Sequence, residues 1–385
     1  MNLSFHTMIL LAYTLPNIYV FFRILYLFIG RGYRLKYTLV YLAIVAIYPL
    51  SDLFNNSNLS FIGAILGTIS NYLLPFYLYL FLSVLLFDIF LLINLVIRVL
   101  PAEIRKASKF RKYSLISIII VSVLIVLGGV INFRTIRTTE YSIEVPARSS
   151  GLKHLRIAFA ADFHIDTETP VNFVKKFVEK VEIISPDIML FGGDIVEGHD
   201  GERMDAQEQL LKNIKPKYGV YGVLGNHEYY RGQDRGSFFD KAGIRILRDT
   251  IITIDNVFFL AGRLDSHFSD RKSVEELLES ASDSLPLILL DHRPTELIET
   301  SKTRTDVQLS GHTHDGQMFP INLITRKVYL LSKGYMKIAD THFFVTSGIR
   351  QWRFPVRTSG KSEIMVIDIN FVRVRFNVPG FKFPL

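Results

Sequence analysis

Seven side chains in this sequence are oxygen or nitrogen donors standing at or just past the end of a short apolar run. Asp162 and His164 end and follow "LRIAFAAD", Asp194 closes "PDIMLFGGD", and Asn226 lies in "GVYGVLGNHE". His292 closes "LPLILLDH", while His312 and His314 belong to "LSGHTHDGQMFP". Each fragment alone has an ordinary explanation: a D-x-H pair or an Asn can mark a turn, and an H-x-H can be a polar loop. Together they form a donor set without thiolate, which suits Mn, Fe or Zn. Seven donors are too many for one ion with an open position and about right for two ions that share a carboxylate. Two ions roughly 3.5–4 Å apart can clamp a phosphoryl group for in-line displacement.

The elements that must position these donors are legible as an alternation. "LRIAFAAD" (155–162), "PDIMLFGGD" (186–194) and "GVYGVLGNHE" (219–228) read as strands, with amphipathic helices at 170–184 and 205–214 between them. Further strands are expected at 257–263, 285–292, 306–312, 342–348 and 363–369, with a helix at 274–281. Near-continuous Val/Ile/Leu runs are buried on both faces, which implies layered sheets covered by helices. Because the later runs have less helix between them, a mixed α/β sandwich is expected rather than a purely doubly wound sheet. In such sheets ligands bind outside the carboxyl ends of strands.

The 385 residues divide by composition. Residues 1–150 carry 13 Lys+Arg against 5 Asp+Glu, whereas 151–385 carry 31 of each. The basic excess therefore belongs to the apolar part and does not point to nucleic acid, so no nucleic-acid partner is expected. The absence of cysteine excludes disulfides, thiolate metal sites and cysteine nucleophiles. Apolar runs at 3–29, 37–54, 52–98 and 114–131 predict about four transmembrane spans within residues 1–133. The run at 52–98 reads as one overlong helix or two hinged near Pro75; the basic loops decide for one. Arg31, Arg34 and Lys36 form one loop and Arg98 to Lys112 the other, and the positive-inside rule puts both in the cytoplasm. That topology puts both termini, and everything after about Phe133, outside the cytoplasm. Asp88, inside an apolar run, is expected to satisfy a bundle neighbour rather than to line a transport path. Residues 134–152 read as a linker and 153–385 as the catalytic domain.

The ordered set D-x-H, G-D, G-N-H-E, H and G-H-T-H resembles the calcineurin-like metallophosphoesterase superfamily. The G-H-T-H-x-G-Q ending and the multi-span N-terminus are similar to its YkuE-like, membrane-associated branch. The resemblance covers roughly Leu155 to Ile369. It implies an α/β/β/α sandwich behind transmembrane helices, and two divalent metal ions as cofactors. Asp162, His164 and His314 would hold one ion, Asn226, His292 and His312 the other, with Asp194 bridging. His227 would sit near the scissile phosphate and stabilise charge or protonate the leaving oxygen. Asp166 and Asp315 stand where the family often has glycine, and they are expected to alter loop shape or the charge at the pocket rim.

The function these expectations lead to is membrane-anchored hydrolysis of a phosphodiester or pyrophosphate through a metal-bridging hydroxide. An amphiphilic or lipid-linked phosphoester is the expected substrate, and membrane lipids are the expected surroundings. One candidate is the pyrophosphate of UDP-2,3-diacylglucosamine in lipid A synthesis, which requires a site at the cytoplasmic leaflet and conflicts with the expected topology. A rival reading is a non-catalytic receptor or scaffold that keeps the fold, against which the complete donor set counts. "TSGKS" (358–362) imitates a phosphate loop but is followed by a strand pattern rather than a helix. His154, His199, His267 and His342 lack matching partners and are expected at the surface or in packing. Trp352, among Arg350, Arg353 and Arg357, is read as an interfacial contact, a lid, or a loop closing the sheet.

Overall fold

The computed structural model describes residues 5–55, 57–197, 204–230, 236–350 and 353–373. His199 and Trp352, each singled out above, lie outside the described residues. The chain forms two compact units, one of residues 1–131 with 353–358, the other of the remainder.

The first unit is helical. Its long helices are Phe5–Leu27, Arg34–Asn55, Ser60–Ile97 and Ser108–Arg134, the last ending in the second unit. Among the described residues, three stretches, 31–55, 60–97 and 108–134, are long and apolar enough to cross a membrane. Phe5–Leu27 carries Pro16, Asn17 and Arg23 inside its apolar run. The segment 60–97 is one continuous helix that contains Pro75. At 1.5 Å per residue it is about 57 Å long, well beyond the ~30 Å hydrocarbon core of a bilayer. Asp88 does satisfy a bundle neighbour: it accepts from Arg23 Nε at 2.7 Å and from the Tyr19 hydroxyl, both on the first helix. Residues 353–358 pack in this unit, where Val356 is buried against Tyr79 and Val126.

The second unit holds two six-stranded sheets. In chain order the strands are β1 (Arg137–Pro146), β2 (His154–Ala160), β3 (Ile188–Gly192), β4 (Val220–Val223), β5 (Arg245–Ile246) and β6 (Thr250–Ile254). They continue with β7 (Phe258–Gly262), β8 (Leu287–Leu290), β9 (Val307–Ser310), β10 (Gly334–Ile338), β11 (Thr341–Val345) and β12 (Glu363–Val372). One sheet runs β1-β12-β2-β3-β4-β5 and the other β10-β11-β9-β8-β7-β6. Both are mixed, since β12 is antiparallel to β2, and β6 and β10 pair antiparallel with β7 and β11. Residues 137–146, within the stretch expected to be a linker, form β1 and pair with β12 over ten positions.

Period-two alternation sorts the buried strands into layers. Leu155, Ile157 and Phe159 of β2 join Leu260, Ile288, Leu290 and Leu309 of the other sheet in one core between the sheets. Ala158 and Ala160 of the same strand face the opposite way, packing with Val174, Phe177 and Val181 of the helix Val171–Ile184. On the far side Leu287 and Leu289 of β8 pack with Val274, Leu277 and Leu278 of a second helix. Helix, sheet, sheet, helix is the expected α/β/β/α order. The parallel trio β2-β3-β4 and the parallel pair β8-β9 present the carboxyl ends that carry the donors.

Candidate metal centre

All seven donors lie just beyond those strand ends, and at five of them the backbone is left-handed. Asp162, His164, Asp194, His312 and His314 have φ of 54°, 47°, 52°, 72° and 49°. Few non-glycine residues adopt this region, and clusters of them mark sites that the surrounding structure over-determines. Asp162 and His164 therefore do not continue β2, as an i, i+2 pair on one strand face would. The chain breaks from the strand after Ala160, and two left-handed residues turn both side chains into one cluster.

Among the described residues, three groupings of ligand atoms fall within 4.8 Å of one another: Asp162 with His164 and His314, His164 with Asp194 and His227, and Asp194 with His292 and His312. In the first, His164 Nε2 is 3.3 Å from His314 Nε2, which is 3.6 Å from Asp162 Oδ1. Asp162 is fixed by the backbone N–H of His312, which donates to Oδ1 at 2.9 Å and to Oδ2 at 3.0 Å. In the third, His292 Nε2 approaches Asp194 Oδ2 to 3.1 Å without hydrogen-bond alignment. Its other nitrogen, Nδ1, donates to the carbonyl of Gly192 at 2.7 Å, which turns Nε2 toward Asp194. Asn226 Oδ1 is buried and has no hydrogen-bond partner. An amide oxygen so placed costs free energy unless something electropositive faces it. N/O donors converging on one another in this way fit divalent cations.

The cluster depends on backbone approach. A Cβ on Gly225 would lie 2.1 Å from Asp194 Oδ1, and one on Gly193, at φ 91°, would lie 2.6 Å from His292 Nδ1. Gly225→Ala is therefore expected to displace the Asp194 carboxylate, with metal binding weakened by more than about tenfold. Calorimetric titration of Mn²⁺ into the variant checks this.

Two acids that sequence reasoning passed over hold the site together. Glu228 is buried, and its carboxylate accepts from the N–H groups of Asp194 (3.1 Å), Ile195 (2.6 Å), Val196 (3.0 Å) and Gly225 (2.7 Å). Burial pushes its pKa up, with the Asp194 charge adding to the rise and the backbone donors opposing it. Truncation would orphan four buried N–H groups, so Glu228→Ala is expected to cost about 3–5 kcal/mol of stability. Denaturant unfolding of the second unit's tertiary signal measures it. Glu197 takes His164 Nδ1 at 2.7 Å on Oε1 and shares that same oxygen with His227 Nδ1. Burial alone would raise the Glu197 carboxyl, but the two histidines outweigh it and hold the group at about 2. The only legible signal for either acid was its place, three residues after Asp194 or at the end of G-N-H-E.

Charge is distributed unevenly among the ligand candidates. Burial raises Asp162 to about 6 against the pull of His292, whereas His292 and His164 carry Asp194 well below the usual carboxylate range despite burial. His292 is desolvated yet lifted to about 10 by Asp194, and burial together with His292 drives His312 down to about 3. His227 donates its backbone N–H to Asp194 Oδ1 at 2.9 Å, and its ring is 4.7 Å from that of His164, edge to face. Burial opposes protonation of His227, but Glu197 and Asp194 prevail and raise its pKa.

Asp315 does not add a free negative charge at the rim. It is buried, with Lys333 Nζ at 2.7 Å, Arg326 Nε at 3.3 Å and the Ser359 hydroxyl donating at 2.8 Å. Asp166 accepts from Thr169 Oγ1 at 2.6 Å, and Arg350 donates to the His164 carbonyl at 3.1 Å. His267 contacts Asp265 at 2.7 Å, and Asp265 in turn holds Arg293 at 2.7 Å, so His267 belongs to a polar network rather than to packing alone. His154 pairs with Asp368 at the surface and His342 packs against Tyr335. "TSGKS" leads directly into β12, as its strand pattern implied.

Residues 155–316 match the family model described as calcineurin-like phosphoesterase. An uncharacterized metallophosphoesterase of Aquifex aeolicus is 31% identical over 261 residues, 64% of this chain and 97% of that protein. A Danio rerio transmembrane protein with metallophosphoesterase domain is 27% identical over 280 residues, 68% of this chain and 64% of that one. Bacillus subtilis YkuE, named an uncharacterized metallophosphoesterase, is 28% identical over 61% of this chain and 85% of its own length. The match spans only 60% of the length of a 31% identical Helicobacter pylori metallophosphoesterase. The strand-end donors, the two-sheet sandwich and these likenesses agree: the chain belongs to the calcineurin-like metallophosphoesterase family.

Proposed function

We propose that the protein is a membrane-anchored phosphoester hydrolase with a dinuclear metal centre, in which residues 1–133 anchor and 153–385 catalyse. The observation that carries this reading is the convergence on Asp194: His292 Nε2 stands against Oδ2 while the backbone of His227 holds Oδ1. Asp162, His164 and His314 would hold one cation and Asn226, His292 and His312 the other, with Asp194 between. Bound there, two divalent cations supply an activated water and a clamp for the phosphoryl oxygens. His227, its Nδ1 turned to Glu197, presents Nε2 to the leaving oxygen as a proton donor. Glu197 acts through His227 and His164 as a positioning residue.

A lipid-linked diester or pyrophosphate suits a hydrolase attached to three membrane-length helices. Purified full-length protein with Mn²⁺ is expected to turn over a chromogenic phosphodiester; failure with Mn²⁺, Fe²⁺ and Zn²⁺ alike would overturn the reading. The basic loops at 31–36 and 98–112 favour a catalytic unit outside the cytoplasm. Ser237 is exposed and the chain has no cysteine, so Ser237→Cys gives a single labelling site. An impermeant maleimide is expected to label it in intact cells; protection until lysis would place the site at the cytoplasmic leaflet and favour a nucleotide-linked lipid.

A further inference from the structure

The helix Ile321–Val328, which follows the H-x-H histidines, is amphipathic in an inverted sense. Asn322 is buried beneath it, while Ile321, Ile324 and Val328, at i, i+3 and i+7, stand out to solvent. Ile324 and Val328 are 64% and 69% exposed, and Phe319, Leu323 and Leu330 extend the same apolar surface. Isolated exposed apolar residues need no explanation, but six within twelve residues, on one short helix and its flanks, mark an interaction surface. Cations border it: Lys327 is exposed, and Arg326 and Lys333 are half-exposed above Asp315. No acidic residue occurs between Asp315 and Asp340.

We propose that this segment, residues 319–333, is an interfacial element that inserts its apolar side chains into a lipid surface carrying anionic headgroups. Apolar side chains with Lys and Arg at their margin are what a headgroup boundary accepts, the cations staying at phosphate level. A second copy is a poorer occupant, because a two-fold contact would bring Lys327, Arg326 and Lys333 against their own equivalents. The same chain carries three helices of membrane-crossing length, so a bilayer is already tethered to this unit. The buried Asp315 acquires a purpose here: it anchors Arg326 and Lys333 and so fixes the helix beside the metal ligands. Tyr329 continues the segment to the cluster, its ring 6.0 Å from that of His312. The inference rests on the proposed phosphoesterase reading only where it concerns substrate: a segment docked in lipid would admit a headgroup phosphate to the metals directly from the bilayer.

The test uses the full chain in nanodiscs of phosphatidylcholine with phosphatidylglycerol. A fluorophore is attached in turn to Ile324→Cys, Val328→Cys and the control Lys175→Cys, an exposed position on the helix 171–184. At 324 and 328 a blue-shifted emission and several-fold stronger quenching by brominated lipid than at 175 are expected. Equal quenching at all three, or none at 324, would overturn the proposal. So would energy transfer between labelled copies without lipid quenching, which would assign the surface to self-association. In a second arm, Ile324→Glu with Val328→Glu is expected to lower turnover of a vesicle-borne phospholipid diester by about tenfold. Turnover of a soluble chromogenic diester stays within about twofold. Equal loss on both substrates would mean a folding defect and count against docking. A wild-type protein inert on both would sink the hydrolase reading, while the quenching result would still decide the docking.

Discussion

Asp194→Asn is expected to reduce turnover by more than about a thousandfold, a loss of about 4 kcal/mol in transition-state stabilisation. The substitution preserves shape, so the backbone N–H of His227 keeps an oxygen at the Oδ1 position, 2.9 Å away in the native protein. What disappears is the negative charge shared by both halves of the cluster. Asp194 is the only residue found in both the grouping with His164 and the grouping with His292 and His312. Removing its charge weakens each cation site and the coupling between them, whereas a single-site ligand such as His314 impairs one. Steady-state rates on a chromogenic diester read the effect, and far-ultraviolet circular dichroism shows that the fold survives. Near-normal turnover in a folded Asp194→Asn protein would exclude a carboxylate bridge.

His227→Ala carries the second large effect, and its signature differs. His227 is not needed as a ligand, because its Nδ1 is turned to Glu197 and its peptide N–H to Asp194. Truncation should leave metal content intact while lowering turnover by about 10²–10⁴, the usual contribution of a positioned general acid. The loss should shrink for a substrate whose leaving group is already a good one, such as nitrophenolate, and be full for an alkyl alcohol. Equal losses on both would mean that His227 stabilises charge on the phosphoryl group rather than protonating the departing oxygen.

The sequence made some of this architecture legible and hid the rest for physical reasons. The candidate donors could be grouped because each is a polar residue ending an apolar strand, and strand ends in layered sheets converge. β1 was missed because "RTTEYSIEVP" is an edge strand whose early positions alternate half-buried and exposed, with Val145 and Ile143 its only fully buried apolar side chains. Half-exposed alternation next to a helix end resembles a linker until β12, more than two hundred residues away, pairs with it. Glu228 and Glu197 were hidden because their partners are backbone N–H groups and histidines some thirty residues distant, a relation no local pattern records. Asp315 was legible only as a departure from the family's glycine. Its burial under Lys333 and Arg326 required the helix 321–328 to fold back over it.

The measurement that bears most directly on the dinuclear reading is a metal count. Full-length protein is stripped with chelator, reloaded with Mn²⁺, desalted and analysed for metal per chain alongside turnover. Two equivalents in the wild type, with turnover rising only as the second is bound, is the predicted result. Full turnover at one equivalent or fewer would contradict a centre built on Asp194 as a shared carboxylate.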